Sequence, residues 1–209
     1  MQTQKGFTLI EIAIVLVIIG LILGGVLKGQ EMITQAKIRN VANDFNGVSA
    51  AYYSYQDRYR AIPGDDLNAF TRWSTSASGD GNGSIEGKYN DSATTPTESN
   101  RFWQHLRLTG LVAGQTTGTT SLTQPTNAVG GITGVQTGAL GLNGAVICSS
   151  NLTATIANAI DSQFDDGNAM TGKVRGQLQA GSNPDASGTA PTTNYVDDGT
   201  NQYLLCKNI

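Results

Sequence analysis

Charge is what this chain has least of. Only 14% of its 209 residues are Asp, Glu, Lys or Arg, against about 25% in an ordinary soluble protein. The 13 basic residues are scattered and outnumbered by 16 acidic ones, for a formal charge of −3. Clustered cations are what bind a phosphate backbone, so no nucleic-acid partner is indicated. Histidine occurs once, at His105, and cysteine twice, at Cys148 and Cys206. With no CxxC pair and no Cys/His cluster, the sequence makes little case for zinc or thiol redox chemistry. The adjacent acids Asp65–Asp66, Asp165–Asp166 and Asp197–Asp198 have no base, nucleophile or cofactor motif beside them. They read as solvated turn caps, His105 reads as a surface histidine, and no enzyme is expected.

Glycine, in contrast, is abundant: 26 residues, many of them mixed with Ser, Thr and Asn beyond residue 75. The apolar residues crowd at the other end. From Ile12 to Leu27 there is no charge, and the apolar run counted from Phe7 is 21 residues long, broken only by Thr8 and Glu11. As a helix it would extend about 31 Å, enough to cross a hydrocarbon core. Glu11 is the anomaly, because a carboxylate inside an apolar span is costly unless it has a partner. A secretory signal cut after the run is disfavoured, since KGQEMITQAKI continues as helix rather than as a processing site.

The heptapeptide KGFTLIE, Lys5 to Glu11, followed by the apolar run, resembles the leader junction of type IV prepilins and the related pseudopilins. The resemblance implies that Gly6 ends a leader of residues 1–6 removed by a prepilin peptidase. It implies that Phe7 becomes the N-methylated first residue, and that Glu11 neutralises the terminal amine of a neighbouring subunit. Physically these parts depend on one another: cleavage creates an amine in apolar surroundings, and Glu11 supplies its counter-charge. The implied partners are further copies in a helical homopolymer, the peptidase, an inner-membrane assembly platform and minor pilins. The implied location is the inner membrane for the precursor, then a pilus or periplasmic pseudopilus. The implied function is a pilin, with a minor pilin, a type II secretion pseudopilin or a tip adhesin as alternatives.

Helical periodicity continues past the run. Val41, Phe45, Val48, Tyr52, Tyr55 and Tyr59 recur at intervals of four and three, until Pro63–Gly64 punctuates the chain. One helix of about 81 Å is therefore expected from Phe7 to Arg60, apolar all round over residues 7–30 and amphipathic over 31–62. Gly20, Gly24, Gly25 and Gly29 suit either close helix approach or a locally melted segment, though glycine is also simply common in membrane helices.

The remaining residues, 63–209, form the expected globular head. Helices are expected at Asp65–Trp73, with Leu67 and Phe70 inward, at Thr97–Val112, and at 152–166 with Asp161 outward. Residues 114–144 read as a long loop or several short strands, with strands at 145–149, 172–180 and 201–208. The fold class is α+β, and the resemblance implies a pilin-like long helix on a small antiparallel sheet with inserted helices and Gly/Thr-rich loops. PGD at Pro63–Asp65, Trp73, GDGNG at 79–83 and DDG at 197–199 also resemble a group of proteobacterial pilin-like proteins. Asp80, Asn82, Ser84 and Glu86 set oxygen side chains at every second position among glycines, either a calcium loop of non-EF-hand type or an Asx/Gly turn. In an exported domain Cys148 and Cys206 would oxidise to a disulfide; the other reading is two free buried thiols.

Overall fold

The computed structural model describes Gly6 and residues 8–209. A single helix, α1, runs over Leu9–Tyr59, 51 residues. The chain divides into two units, residues 1–37 and 38–209. In the first, no residue of α1 is buried among the described residues. It is long and apolar enough to cross a membrane.

In the second unit, α1 presents the expected stripe. Ile38, Val41, Phe45, Val48, Tyr52 and Tyr55 are buried and share one cluster with Val135, Ile147, Leu152 and Leu205 of the sheet. The sheet has four antiparallel strands, β1 (Thr133–Ala139), β2 (Leu142–Thr153), β3 (Val174–Leu178) and β4 (Gln202–Asn208), in the order β1-β2-β4-β3. The period-two alternation of strands decides which residue meets which layer. Ile147 and Leu205 face the α1 cluster, whereas Val146, Cys148, Leu204 and Cys206 face a second cluster on the other side of the sheet. The long helix on a small antiparallel sheet is the pilin-like fold.

Helices α2 (Ala69–Arg72), α3 (Glu98–Leu108) and α4 (Ala154–Phe164) complete the unit. Helix α3 places Phe102, Trp103 and Leu106 in the core, and Asn100 Oδ1 accepts the N–H of its N-cap residue Thr97 at 3.1 Å. Residues 114–144 hold a loop with a 3-10 turn at Thr119–Leu122, followed by β1 and the start of β2, so both readings of this stretch hold in part.

Two expectations are corrected. Helix α2 is only four residues long, and Leu67 and Phe70 are each 60% exposed. The cause lies just upstream: Asp65 and Asp66 take the inward positions, and Asp66 Oδ1 accepts the Asn68 N–H at 2.9 Å, an Asx turn that competes with helix. Asp161 is fully buried rather than outward, because Tyr195 Oη donates to its Oδ2 at 2.6 Å and Gly167 N–H to its Oδ1 at 3.1 Å.

Candidate functional site

Ahead of α1, Gly6 is exposed, and a side chain built on it would meet none of the described residues within 4 Å. Phe7 lies outside the described residues. Thr8 and Glu11 are joined reciprocally: Glu11 Oε2 accepts the Thr8 N–H at 2.7 Å and the Thr8 Oγ1 hydrogen at 2.6 Å, while Glu11 N–H donates to Thr8 Oγ1 at 3.3 Å. This is a capping box, with Thr8 as N-cap and Glu11 at the third helical position. It satisfies amide donors that the first turn leaves unpaired and sets a negative charge against the positive end of the helix dipole. Both bonds to the carboxylate use Oε2; among the described residues none reaches Oε1. The Thr-x-x-Glu spacing of Thr8 and Glu11 is the sequence signal for this local pairing.

The turn at residues 79–87 is held from outside itself. Asp65 Oδ1 accepts N–H groups from Gly81 at 2.6 Å and Asn82 at 3.1 Å, and its Oδ2 accepts from Gly83 at 2.8 Å. Glu98 Oε1 and Oε2 accept from Asp80 at 3.1 Å and Glu86 at 3.0 Å. Both carboxylates are buried. Burial pushes each above the usual carboxylate range, and the amide donors pull partly back. Gly83, at φ +87°, adopts the left-handed backbone that lets successive amides converge on one acid.

Of the four residues in the alternating run, Asp80 is brought to Asp65 and Glu98, and these three offer oxygens within 4.8 Å of one another. Asn82 Nδ2 instead bridges Asp80 Oδ2 at 2.9 Å and Glu86 Oε1 at 3.2 Å, while Asn82 Oδ1 accepts the Ser84 N–H at 2.8 Å. Three carboxylates suit a hard cation by chemistry, yet the oxygens of Asp65 and Glu98 already serve the loop amides. Asp65 and Glu98 escape a sequence reading because they lie outside the run they organise.

His105 is fully buried, which corrects the surface expectation. Its Nδ1 accepts the Gly64 N–H at 3.0 Å and its Nε2 lies 3.2 Å from Ala77 O, so the proton belongs on Nε2. Burial holds its pKa down to about 4, and the ring is neutral at pH 7. Tyr55 of α1 stacks on it at 6.1 Å and donates its hydroxyl to Asp66 Oδ2 at 2.6 Å. Arg72 pairs with the same carboxylate and lies over the Tyr59 ring at 4.8 Å. This network ties the end of α1 to the segment after Pro63.

Cys148 and Cys206 form a disulfide. They are direct cross-strand partners in β2 and β4, and both are fully buried. The bridge staples the middle of the sheet.

Residues 1–27 match the family described as "Prokaryotic N-terminal methylation motif". Comparisons with curated proteins and with solved structures gave no match. The chain has pilin-like features: this motif at its start and an apolar helix suited to anchoring a precursor in a membrane. The methylation motif at its start and the long apolar helix that follows together support assignment to the type IV pilin and pseudopilin family.

Proposed function

We propose that the chain is the structural subunit of a type IV filament. Its precursor is held in the inner membrane by the first half of α1, cut after Gly6 by a prepilin peptidase and methylated on Phe7. It then polymerises as a helical homopolymer, with minor pilins and an assembly platform as further partners. The head ends up outside the cell or in the periplasm, and the chain carries out no reaction of its own.

One observation carries this reading: the first half of α1 is apolar on every side, none of it is buried, and a carboxylate sits at its start. In a bilayer lipid covers such a surface; in a filament only other copies of the same helix offer a matching one. On that reading Glu11 has two successive partners. Its Oε2 stays with Thr8, and Oε1, which no described residue reaches, accepts a cationic amine from a neighbour, which removes the cost of either charge alone.

Glu11→Ala should leave leader cleavage intact and lower the yield of sheared filaments at least tenfold; normal yield would sink the pairing. Intact-mass analysis of sheared filaments and membranes sharpens the assignment. Abundant N-methylated Phe7 in filaments identifies a major pilin. The same terminus confined to membranes, or present at trace level in filaments, identifies a minor pilin or pseudopilin. Retention of Met1 overturns the proposal.

A further inference from the structure

Residues 179–201, between β3 and β4, have no regular secondary structure, yet they are tied down on both faces of the sheet. On the face away from α1, Tyr89 Oη donates to Pro184 O at 2.6 Å and Asn90 Nδ2 donates to Asn183 O and Asp185 Oδ1, each at 3.0 Å. Lys88 pairs with Asp185, and Leu140 N–H donates to Ser187 O at 2.6 Å. Ala186 packs against the apolar cluster that contains both cysteines. The segment then passes the β3 edge, where the Tyr195 ring lies against Gly176 so closely that an added Cβ would come within 2.4 Å of it. Tyr195 ends on Asp161 of α4.

Thiol–disulfide exchange requires a thiolate to reach a sulfur atom. Cys148 and Cys206 are both 0% exposed, and from residues 183–190 Ala186 packs against the apolar cluster that holds them. We propose that residues 183–190 form a cover over the Cys148–Cys206 bridge. The bridge is oxidised before the cover docks, and afterwards it exchanges with thiols only when the cover lifts. The cover is held at the surface by Lys88 and Asp185, each 57% exposed, and from within by single bonds from Tyr89 and Leu140, whereas β2 and β4 are held by a buried ladder. Lifting the cover is therefore a local opening, separable from unfolding of the head. An added dithiol would supply the two electrons: one of its thiolates attacks a bridge sulfur, its second thiol resolves the mixed disulfide, and two cysteine thiols are released with the reagent oxidised to a ring.

The test is the rate of reduction of the detergent-solubilised full chain by dithiothreitol without denaturant, read by alkylation and mass, with near-ultraviolet circular dichroism as the check on folding. Asp185→Ala combined with Asn90→Ala should speed reduction tenfold or more with an unchanged spectrum. Tyr89→Phe, a milder change that removes only the hydroxyl tie to Pro184, should speed it several-fold. A core variant on the opposite face, Phe45→Ala, should speed it only in proportion to its own unfolding equilibrium. Equal rates in wild type and the cover variants would overturn the proposal, as would a wild-type bridge reduced as fast as one in a short exposed peptide. If the double variant fails to fold, Tyr89→Phe alone decides by the same criterion.

Discussion

Between Leu9 and Lys37 no side chain of α1 is buried, whereas between Ile38 and Tyr59 eight are. The backbone is the same α-helix throughout; the difference lies in what surrounds it. In the first stretch Leu9 is 89% exposed and Leu21 73% exposed, and covering such a side chain is worth about 1.5–3 kcal/mol. Among the described residues nothing supplies that cover. In the second stretch the apolar residues keep to one stripe and the chain brings its own sheet to meet them. An all-round apolar helix therefore points to an external partner, and a striped one to an internal partner.

The strongest way to break this comparison is to truncate one residue in each stretch. Phe45 is 1% exposed and meets Phe164 edge-on at 6.2 Å, so Phe45→Ala should cost about 3–5 kcal/mol. In urea titration of detergent-solubilised protein this appears as a large drop in the midpoint of head unfolding. Ile18 is 50% exposed and belongs to neither buried cluster of the head. Ile18→Ala should leave that midpoint unchanged. A shift in both variants would mean that the two stretches are energetically one.

Acid should separate the stretches in a second way. His105 has a folded pKa of about 4, below its ordinary 6.5, chiefly through burial. The unfolded chain therefore binds the extra proton first. The contribution of His105 is fully present above pH 6.5 and is lost as pH falls through 6.5 toward 4, in total about 3 kcal/mol. Asp65, Glu98 and Asp161 are pushed upward by burial and act in the opposite sense, with stability gained as they protonate. The difference between wild type and His105→Gln isolates the histidine: wild type should lose stability more steeply between pH 6.5 and 4.5. Parallel pH profiles would refute this. Over the same range residues 9–37 should keep their helical signal in detergent.

Legibility follows the same division. The stripe from Val41 to Tyr59 is a periodicity carried by residues close in sequence, so it can be read directly, and so can the last strand at 201–208, observed as Gln202–Asn208. The strand order could not, because it depends on β4 pairing with β2 and β3 across long separations. Two of the corrected expectations share a cause. Polarity alone sets Leu67 and Phe70 inward and Asp161 outward, and each is overruled by a carboxylate that finds donors inside: Asp65 and Asp66 in the first case, Asp161 itself in the second. At the site, Glu11 was legible as an anomaly in an apolar run. The acids that hold the glycine turn were not, since Asp65 and Glu98 act on amides 12 to 18 positions away.

The smallest expected effect lies where α1 ends. Arg60 follows the last helical residue with φ +54°, and its N–H still donates to Gln56 O at 2.8 Å. This is the left-handed position that glycine commonly fills at helix ends. A side chain there costs roughly 1–2 kcal/mol, partly offset because glycine would make the unfolded chain more flexible by about 0.5–1 kcal/mol. The ion pair that Arg60 makes with Asp57 spans 3.8 Å between side chains 84% and 86% exposed, and such a pair contributes little. Arg60→Gly should therefore raise the stability of the head by about 0.5 kcal/mol, visible as a small upward shift in the urea midpoint. Arg60→Ala serves as the control, since it removes the ion pair but keeps the Cβ, and should not raise the midpoint. A gain with Ala equal to that with Gly would place the effect in the charge rather than the backbone. A loss with Gly would show that the end of α1 needs the stiffness of a side chain more than relief of its backbone.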